Sequence, residues 1–152
     1  MKYELTDETN GSGLRRIRAL RDIPRYGVEE GDLGGWVESD GNLTQEGDCW
    51  VFDDAQVFGN TQVFDNAMVF GNARVFDDAQ VFGTALIYGN AMVFGNARVF
   101  GKARVSDDAR VFGNARVFGN ARVFGKARVS DDAQVFGNAR VFDAVVRGGV
   151  TS

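Results

Sequence analysis

The sequence predicts an all-β solenoid, and three observations support this fold class. Sixteen consecutive hexads run from residue 51 to residue 146 without an insertion or a deletion. Within them, Ala at the fifth position and Val at the first position of the next hexad are separated by one residue, which is the period-two alternation of a strand. The chain also has 20 glycines against one proline, and half of these glycines occupy a single position of the hexad. Because six residues cannot bury their own apolar side chains, successive units must stack.

Each hexad is predicted to contain one strand and one corner. In the segment Ala73–Phe76, the alternation directs Ala and Val inward and Arg and Phe outward. The third and fourth positions hold Gly or Asp followed by Asn or Asp, which accept the left-handed backbone conformation of a turn. We therefore expect strands of about four residues. The interior is predicted to be narrow, because no inward residue from Val51 to Val141 is larger than Ile87.

The repeat also extends upstream of residue 51. Gly35–Val37 and Gly41–Leu43 fit two further hexads, and an eight-residue unit then leads to Val51. This phase gives about six coils in total and places Cys49 in the small inward position, where it substitutes for Ala in the core.

Residues 1–32 lack the repeat and are predicted to cap the solenoid. Tyr3–Thr6 and Leu14–Leu20 are separated by a segment rich in Gly and Ser, which is typical of a β-hairpin. The first coil of a solenoid exposes unpaired strand edges that such a hairpin can cover. The predicted organisation is therefore a cap at residues 1–32, a solenoid at 33–146 and a tail at 147–152.

The hexads resemble those of the hexapeptide-repeat left-handed β-helix superfamily, which includes many acyltransferases. The segments Leu14–Asp22, Gly31–Ser39 and Asn42–Val51 are more specifically similar to bacterial and prophage hexapeptide-repeat proteins of uncharacterised function that are often labelled transferases. The resemblance covers nearly the whole chain. It implies a left-handed parallel β-helix, with three hexads in each triangular coil of eighteen residues.

All 13 phenylalanines occupy the second hexad position, which points outward. With three hexads in each coil, these rings form three ladders along the solenoid. A continuous row of rings exceeds the apolar surface that soluble monomers usually tolerate, so we expect a homo-oligomer, a trimer or a dimer. The alternative is a monomer whose exposed rings stack on one another. The predicted self-association residues are Phe64, Phe82, Phe100, Phe118 and Phe136, together with Trp50, Met68 and Leu86, which flank the first half of the ladder that begins at Phe52.

The outward position before Val is Arg throughout much of the C-terminal half. Arg alternating with Phe is suited to contacting phosphates and stacking bases, so an anionic small molecule or single-stranded nucleic acid is a candidate ligand. The alternative is a solvated face that keeps the protein soluble. No motif for sequence-specific nucleic-acid binding accompanies these residues. The candidate anion-binding residues are Arg98, Arg104, Arg110, Arg116, Arg122, Arg128 and Arg140.

Two hexads replace Phe by Ser and carry paired acids, at Val105–Asp108 and Val129–Asp132. Adjacent carboxylates at a turn can bind a hard cation such as calcium. However, the two sets are one coil plus one face apart, so they occupy different corners. We interpret them as ordinary turn acids and predict no metal site.

The sequence argues against catalysis. Acyltransferases of the superfamily generally use a histidine as general base, and this chain has no histidine. The uninterrupted hexads at 51–146 also lack the loop that commonly borders the family's active sites. We therefore predict no cofactor and a non-enzymatic binding or scaffold protein, with a phage or prophage accessory role and a host protein as one conceivable partner. The alternatives are an acyltransferase-like protein with an inter-subunit site and a binder of nucleotides or single-stranded nucleic acid.

The distribution of charge and apolar residues bears on location and partners. The N-terminus lacks the apolar run of a signal peptide, and no segment approaches the about 18 apolar residues of a membrane span. With one cysteine, the chain cannot form an internal disulfide. We expect a cytoplasmic protein with no membrane partner. The net charge of −4 hides an acidic N-terminal half and a basic C-terminal half.

Overall fold

The structure, a computed structural model, describes residues 1–152. Its N-terminal part is a three-stranded antiparallel arrangement of β1 (Tyr3–Thr9), β2 (Arg15–Ala19) and β3 (Leu33–Val37), in which β2 pairs with both neighbours. This confirms the predicted hairpin. Two single-turn 3₁₀ helices, Pro24–Tyr26 and Asp40–Asn42, are the only helical elements. The structure contains no helix with the length and apolar character needed to cross a membrane.

The rest of the chain forms a parallel β-solenoid built from short strands. In chain order, these strands are β4 (Trp50–Val51), β5 (Gln56–Val57), β6 (Gln62–Val63), β7 (Met68–Val69), β8 (Arg74–Val75), β9 (Gln80–Val81), β10 (Leu86–Ile87), β11 (Met92–Val93), β12 (Arg98–Val99), β13 (Arg104–Val105), β14 (Arg110–Val111), β15 (Arg116–Val117), β16 (Arg122–Phe124), β17 (Arg128–Val129), β18 (Gln134–Val135), β19 (Arg140–Phe142), β20 (Val145–Val146) and β21 (Val150–Thr151).

These strands form three sheets, which we call face 1, face 2 and face 3. Face 1 has the order β4-β7-β10-β13-β16-β19, and face 3 has the order β6-β9-β12-β15-β18-β21. Face 2 contains β5-β8-β11-β14-β17-β20 and continues through β3 into the hairpin. The chain visits the faces in the order 1, 2, 3 in every coil. The predicted all-β solenoid of about six turns is therefore confirmed, whereas its left hand stays a prediction.

The pairing register sets the coil length. Arg98 pairs with Arg116 and Val99 pairs with Val117, and the same spacing of three hexads recurs on every face of the regular solenoid. Most strands contain two residues, shorter than the expected four, because the residue after each Phe adopts a left-handed conformation that ends the extended segment. Backbone hydrogen bonds nevertheless continue through the corners, so each coil is bonded to the next along its whole path.

The interior is filled by the inward Val and Ala residues, which are fully buried along most of the solenoid. Ile87 is the largest inward side chain of the regular coils, as expected from the sequence. Cys49 is buried in the position that Ala occupies elsewhere, which confirms its predicted place in the core. The interior is therefore a closely packed apolar column, and the functional chemistry must lie on the outer faces or at the cap.

The two ends are joined to the solenoid by backbone pairing. β3 pairs in parallel with β5, so the cap and face 2 form one nine-stranded sheet. At the other end, β21 lies within the predicted tail and pairs in parallel with β18. The predicted tail at 147–152 thus contributes a further strand to face 3.

Candidate functional site

The aromatic side chains form three ladders at the corners of the coil, as the alternation predicts. The Phe64 ladder lies between faces 3 and 1, the Phe58 ladder between faces 2 and 3, and the Phe52 ladder between faces 1 and 2. All their rings are half-buried except Phe142, which is exposed. The outward position of the Phe residues is thereby confirmed. The members are Phe64, Phe82, Phe100, Phe118 and Phe136 in the first ladder; Phe58, Phe76, Phe94 and Phe112 in the second; and Phe52, Phe70, Tyr88, Phe124 and Phe142 in the third.

The Phe64 ladder is the longest uninterrupted row. Its successive ring centroids are 4.7, 4.8, 4.9 and 5.1 Å apart, and the rings are parallel to within 9°. These spacings fall in the range of offset stacking, which stabilises each ring pair by about 0.5–1.5 kcal/mol beyond its burial. The rings are covered by their ladder neighbours above and below, and their outer edges still face solvent.

Two of the other predicted self-association residues lie on face 1, between the Phe64 and Phe52 ladders. Met68 and Leu86 are half-buried and are paired in register with one another. Trp50, the third residue of that column, is only 1% exposed and packs edge-to-face against Tyr3 of the cap at 6.3 Å. Because the hairpin already covers Trp50, we remove this residue from the predicted self-association surface.

The candidate anion-binding arginines are all exposed and lie in register columns on the three faces. Arg98 and Arg116 lie on face 3, and Arg110 and Arg128 lie on face 2. Face 1 carries the longest column, Arg104, Arg122 and Arg140. None of these side chains has a carboxylate within 4.0 Å, since every salt bridge of the chain involves an arginine of the cap.

The acids of the two Ser-Asp-Asp corners are placed as the sequence predicts. Asp107 follows face 1 and Asp131 follows face 2, so the two sets lie at different corners. Asp107 adopts a positive φ of 59°, and its carboxylate accepts a hydrogen bond of 2.9 Å from the backbone N–H of Gly125. This carboxylate therefore stabilises the turn of the next coil.

The cap contains a polar contact that sequence reasoning missed. Lys2 is 1% exposed, and its ammonium donates to the carbonyl of Cys49 at 2.7 Å and to the Cys49 sulfur at 3.2 Å. Longer contacts reach the carbonyls of Glu46 and Gly47. Burial lowers the pKa of Lys2, an effect that the nearby Cys49 partly opposes. Lys2 thus holds the irregular eight-residue unit against the hairpin.

Two tyrosines complete the attachment of the cap. The Tyr3 hydroxyl donates to the carbonyl of Leu43, and the Tyr26 hydroxyl donates to the carbonyl of Asn66. Burial raises the pKa of both phenols, and the neighbouring Asp40 adds to the shift of Tyr3. The groups with shifted pKa values therefore serve the junction between cap and solenoid.

A family model of the YdcK beta-solenoid repeat matches the chain at residues 61–75, 85–101, 103–117, 115–131 and 133–149. Together these segments make up just over half of the sequence. The chain belongs to the YdcK beta-solenoid repeat family. Each match begins at an inward Ala position, or at Thr61 in its place, so the YdcK repeat follows the same hexad phase as the coils. Among curated proteins, none matches the chain.

Proposed function

We propose that this YdcK-repeat protein is a non-enzymatic homo-oligomer, a trimer or a dimer, that acts as a binding or scaffold protein through its outer surfaces. The observation that carries this proposal is the Phe64 ladder, whose five stacked rings lie half-buried in one row. Such a row is a contiguous apolar patch of the kind that marks interaction sites. A second subunit covering it would gain about 25 cal/mol for each Å² of apolar surface removed from water.

The Phe64 ladder is favoured over the other two as the buried surface because it is the one with five rings in an uninterrupted row. Its first two rings, Phe64 and Phe82, lie between neutral side chains, Met68 and Leu86 on face 1 and Gln62 and Gln80 on face 3. These neutral side chains cost less to desolvate than the arginines that flank its later rings on both faces.

The non-enzymatic part of the proposal is supported by the chemistry of the side chains. The chain contains no histidine, and no general base of the superfamily type can be assigned to it. The competing function is an acyltransferase that resembles the hexapeptide-repeat enzymes and forms its site between subunits. Calorimetry with acetyl-CoA separates the two, because the scaffold function predicts no binding and the transferase predicts binding that free CoA abolishes.

A cytoplasmic location and a phage or prophage accessory role belong to the same proposal. They are supported by the resemblance of residues 14–51 to prophage proteins and by the free thiol of Cys49, which a reducing compartment suits. A host protein is the partner class that such a role would require.

Two matched double variants test the self-association surface. Phe100→Ser with Phe118→Ser interrupts the Phe64 ladder, whereas Phe76→Ser with Phe94→Ser makes the same change in the Phe58 ladder. Ser already occupies a ladder position at Ser106, so both variants are compatible with the fold. Light scattering at micromolar concentration is expected to show an oligomer for the wild type and the Phe58-ladder variant and a smaller species for the Phe64-ladder variant. A wild-type monomer, or equal behaviour of the two variants, would overturn the assignment.

The arginine columns favour a second candidate function, the binding of an anionic ligand such as a nucleotide or single-stranded nucleic acid. Like charges directly paired across strands destabilise a sheet, and an anion bound to them relieves that cost. The longest such column, on face 1, lies beside an interruption of the Phe52 ladder.

A further inference from the structure

The Phe52 ladder lacks one ring in its middle. Above the gap, Phe70 and Tyr88 are stacked at 4.9 Å, and below it Phe124 and Phe142 lie 5.0 Å apart. The residue between Tyr88 and Phe124 is Ser106, whose small side chain is almost fully buried. The backbone passes through this position without distortion, since the N–H of Ser106 donates to Val123 as in every other coil. Only the ring is missing.

The gap has the dimensions of one aromatic ring. Stacked rings elsewhere in the ladders repeat every 4.7–5.1 Å, so Tyr88 and Phe124, which are two coils apart, are separated by about two repeats. A flat ring placed midway would lie about 4.9 Å from each neighbour, which is within the range of favourable aromatic stacking. A cavity of about 250 Å³ opens at this position and is lined by both rings and by Ser106.

The same cavity is lined by the three arginines of face 1, Arg104, Arg122 and Arg140. Its one acidic residue is Asp107, whose carboxylate already accepts the N–H of Gly125. With three arginines and one aspartate, the lining of the cavity carries a net charge of about +2. None of the three arginines has a carboxylate within 4.0 Å. Guanidinium groups bind carboxylates and phosphates through paired hydrogen bonds, so the ligand that complements the three arginines is an anion.

The second Ser-Asp-Asp corner does not form this arrangement. Ser130 follows Phe112 in the Phe58 ladder, and the next coil, at residues 145–151, contains no aromatic residue. A ring placed at Ser130 would have an aromatic neighbour on one side only. Ser130 is therefore an internal control for Ser106. Its four-residue sequence is the same, but a ring placed there could stack on one side only.

We propose that the gap at Ser106 binds a planar aromatic anion. The ring of the ligand inserts between Tyr88 and Phe124 and completes the ladder, while its anionic group contacts the column of Arg104, Arg122 and Arg140. This inference makes the anionic-ligand candidate specific and does not depend on self-association through the Phe64 ladder. Two ligand sources share the chemistry, a nucleoside monophosphate and an aromatic carboxylate, and the experiment distinguishes them.

Calorimetric titration with whole and half ligands tests the site on the full chain. AMP is compared with adenosine and ribose 5-phosphate, and benzoate is compared with benzyl alcohol and acetate. We expect at least one whole ligand to bind at least tenfold more tightly than either of its halves. The ring contacts Tyr88 and Phe124, whereas the anionic group contacts the arginines of face 1, so the two contributions add. The proposal is overturned when neither AMP nor benzoate binds at millimolar concentration, or when ribose 5-phosphate or acetate alone binds as well as the whole ligand.

Two pairs of variants then locate the ligand. Ser106→Phe restores the ring found in most coils and should weaken binding at least tenfold, whereas Ser130→Phe should leave binding unchanged. Arg122→Gln should also weaken binding about tenfold, with Arg128→Gln on face 2 as its control; Gln occupies the same repeat position at Gln80. Circular dichroism and light scattering verify folding and subunit number for each variant. Unchanged binding in either folded gap variant, Ser106→Phe or Arg122→Gln, would overturn the proposal.

Discussion

At the residue scale, the cap is attached to the solenoid by a few side chains that donate to backbone carbonyls. Lys2 reaches the carbonyl of Cys49, and the phenols of Tyr3 and Tyr26 reach those of Leu43 and Asn66. Each of these donors satisfies a carbonyl in the first coils of the solenoid; Leu43 and Cys49 lie where the chain departs from the regular hexad, and Asn66 lies in the regular hexad at residues 63–68. Buried polar groups without partners cost about 1–3 kcal/mol each, so these contacts decide whether the cap stays docked.

Tyr3→Phe is predicted to lower the free energy of unfolding by about 1 kcal/mol, because the hydrogen bond to Leu43 is lost. The raised pKa adds a pH dependence: above its usual pKa of 10.0, the unfolded phenol loses its proton while the folded phenol keeps it. The contribution of Tyr3 is therefore complete below about pH 10 and decreases as the pH rises further.

Urea unfolding followed from about pH 8 to pH 11 measures this effect. The wild type is expected to lose stability more steeply above pH 10 than Tyr3→Phe does. Tyr88→Phe is the matched control, since the half-buried Tyr88 hydroxyl makes no hydrogen bond within the chain. Parallel pH profiles for wild type and Tyr3→Phe would refute the role of the phenol.

The sequence predicted which residues point inward but not the polar contacts of the cap. The inward place of Cys49 follows from counting hexads upstream, because the repeat fixes the phase. The contact between Lys2 and Cys49 joins residues 47 positions apart and depends on how the hairpin docks. Local alternation contains no information on that docking, and a lysine near the N-terminus is usually exposed.

At the element scale, four of the corners that carry Asp are stabilised by a hydrogen bond that the Asp carboxylate accepts from the next coil. Asp77 has a φ of 62°, and its carboxylate accepts the N–H of Gly95 at 3.0 Å. The same pairing joins Asp53 to Gly71 and Asp65 to Gly83. The cost of the left-handed backbone at each Asp is thus offset by the hydrogen bond between its carboxylate and the next coil. In all three cases the donor is the backbone N–H of a Gly.

Asp77→Ala is predicted to destabilise the solenoid by about 2 kcal/mol. Alanine costs about 1–2 kcal/mol in the left-handed conformation and cannot accept the Gly95 N–H. Asp77→Asn retains an acceptor oxygen and tolerates the same conformation, so it should remain close to the wild type. The midpoint of guanidinium chloride unfolding compares the three proteins, and equal midpoints for the Ala and Asn variants would contradict this account of the corner.

The corners illustrate what the sequence alone could supply at this scale. The sequence predicted left-handed turns at the third and fourth positions, and the structure places the positive φ at the third position, Gly or Asp, and not at the Asn that follows. The bond from Asp to Gly could be found only once the coil was known to contain eighteen residues, because the partners lie one coil apart. Strand length was overestimated for a related reason, since these left-handed corners interrupt the extended backbone immediately after each Phe.

At the scale of the whole molecule, the regular register explains why long columns of identical side chains form. Each residue pairs with the residue three hexads away, so a repeated Phe becomes a ladder and a repeated Arg becomes a charged column. Stability in such a solenoid is close to a sum over neighbouring coils. The outer surfaces can therefore vary without loss of the fold, as the substitution of Phe by Ser106 and Ser130 shows.

The sequence predicted the ladders but not the gap at Ser106 as a binding site. Their positions follow from the period of six together with three hexads in each coil, which the family resemblance supplied. The gap at Ser106 requires two further facts: the serine lies between the rings of Tyr88 and Phe124, and the arginines of face 1 border the gap. Ser130 has the same local sequence without a second ring, so the local sequence cannot distinguish the two sites.

The central claim is that this protein works through its outer surfaces as an assembly of identical chains. Native mass spectrometry of protein taken directly from cells tests it most directly, because the measurement reports the number of subunits and any retained small molecule together. We predict a dimer or a trimer. A bare monomer at micromolar concentration would contradict the account.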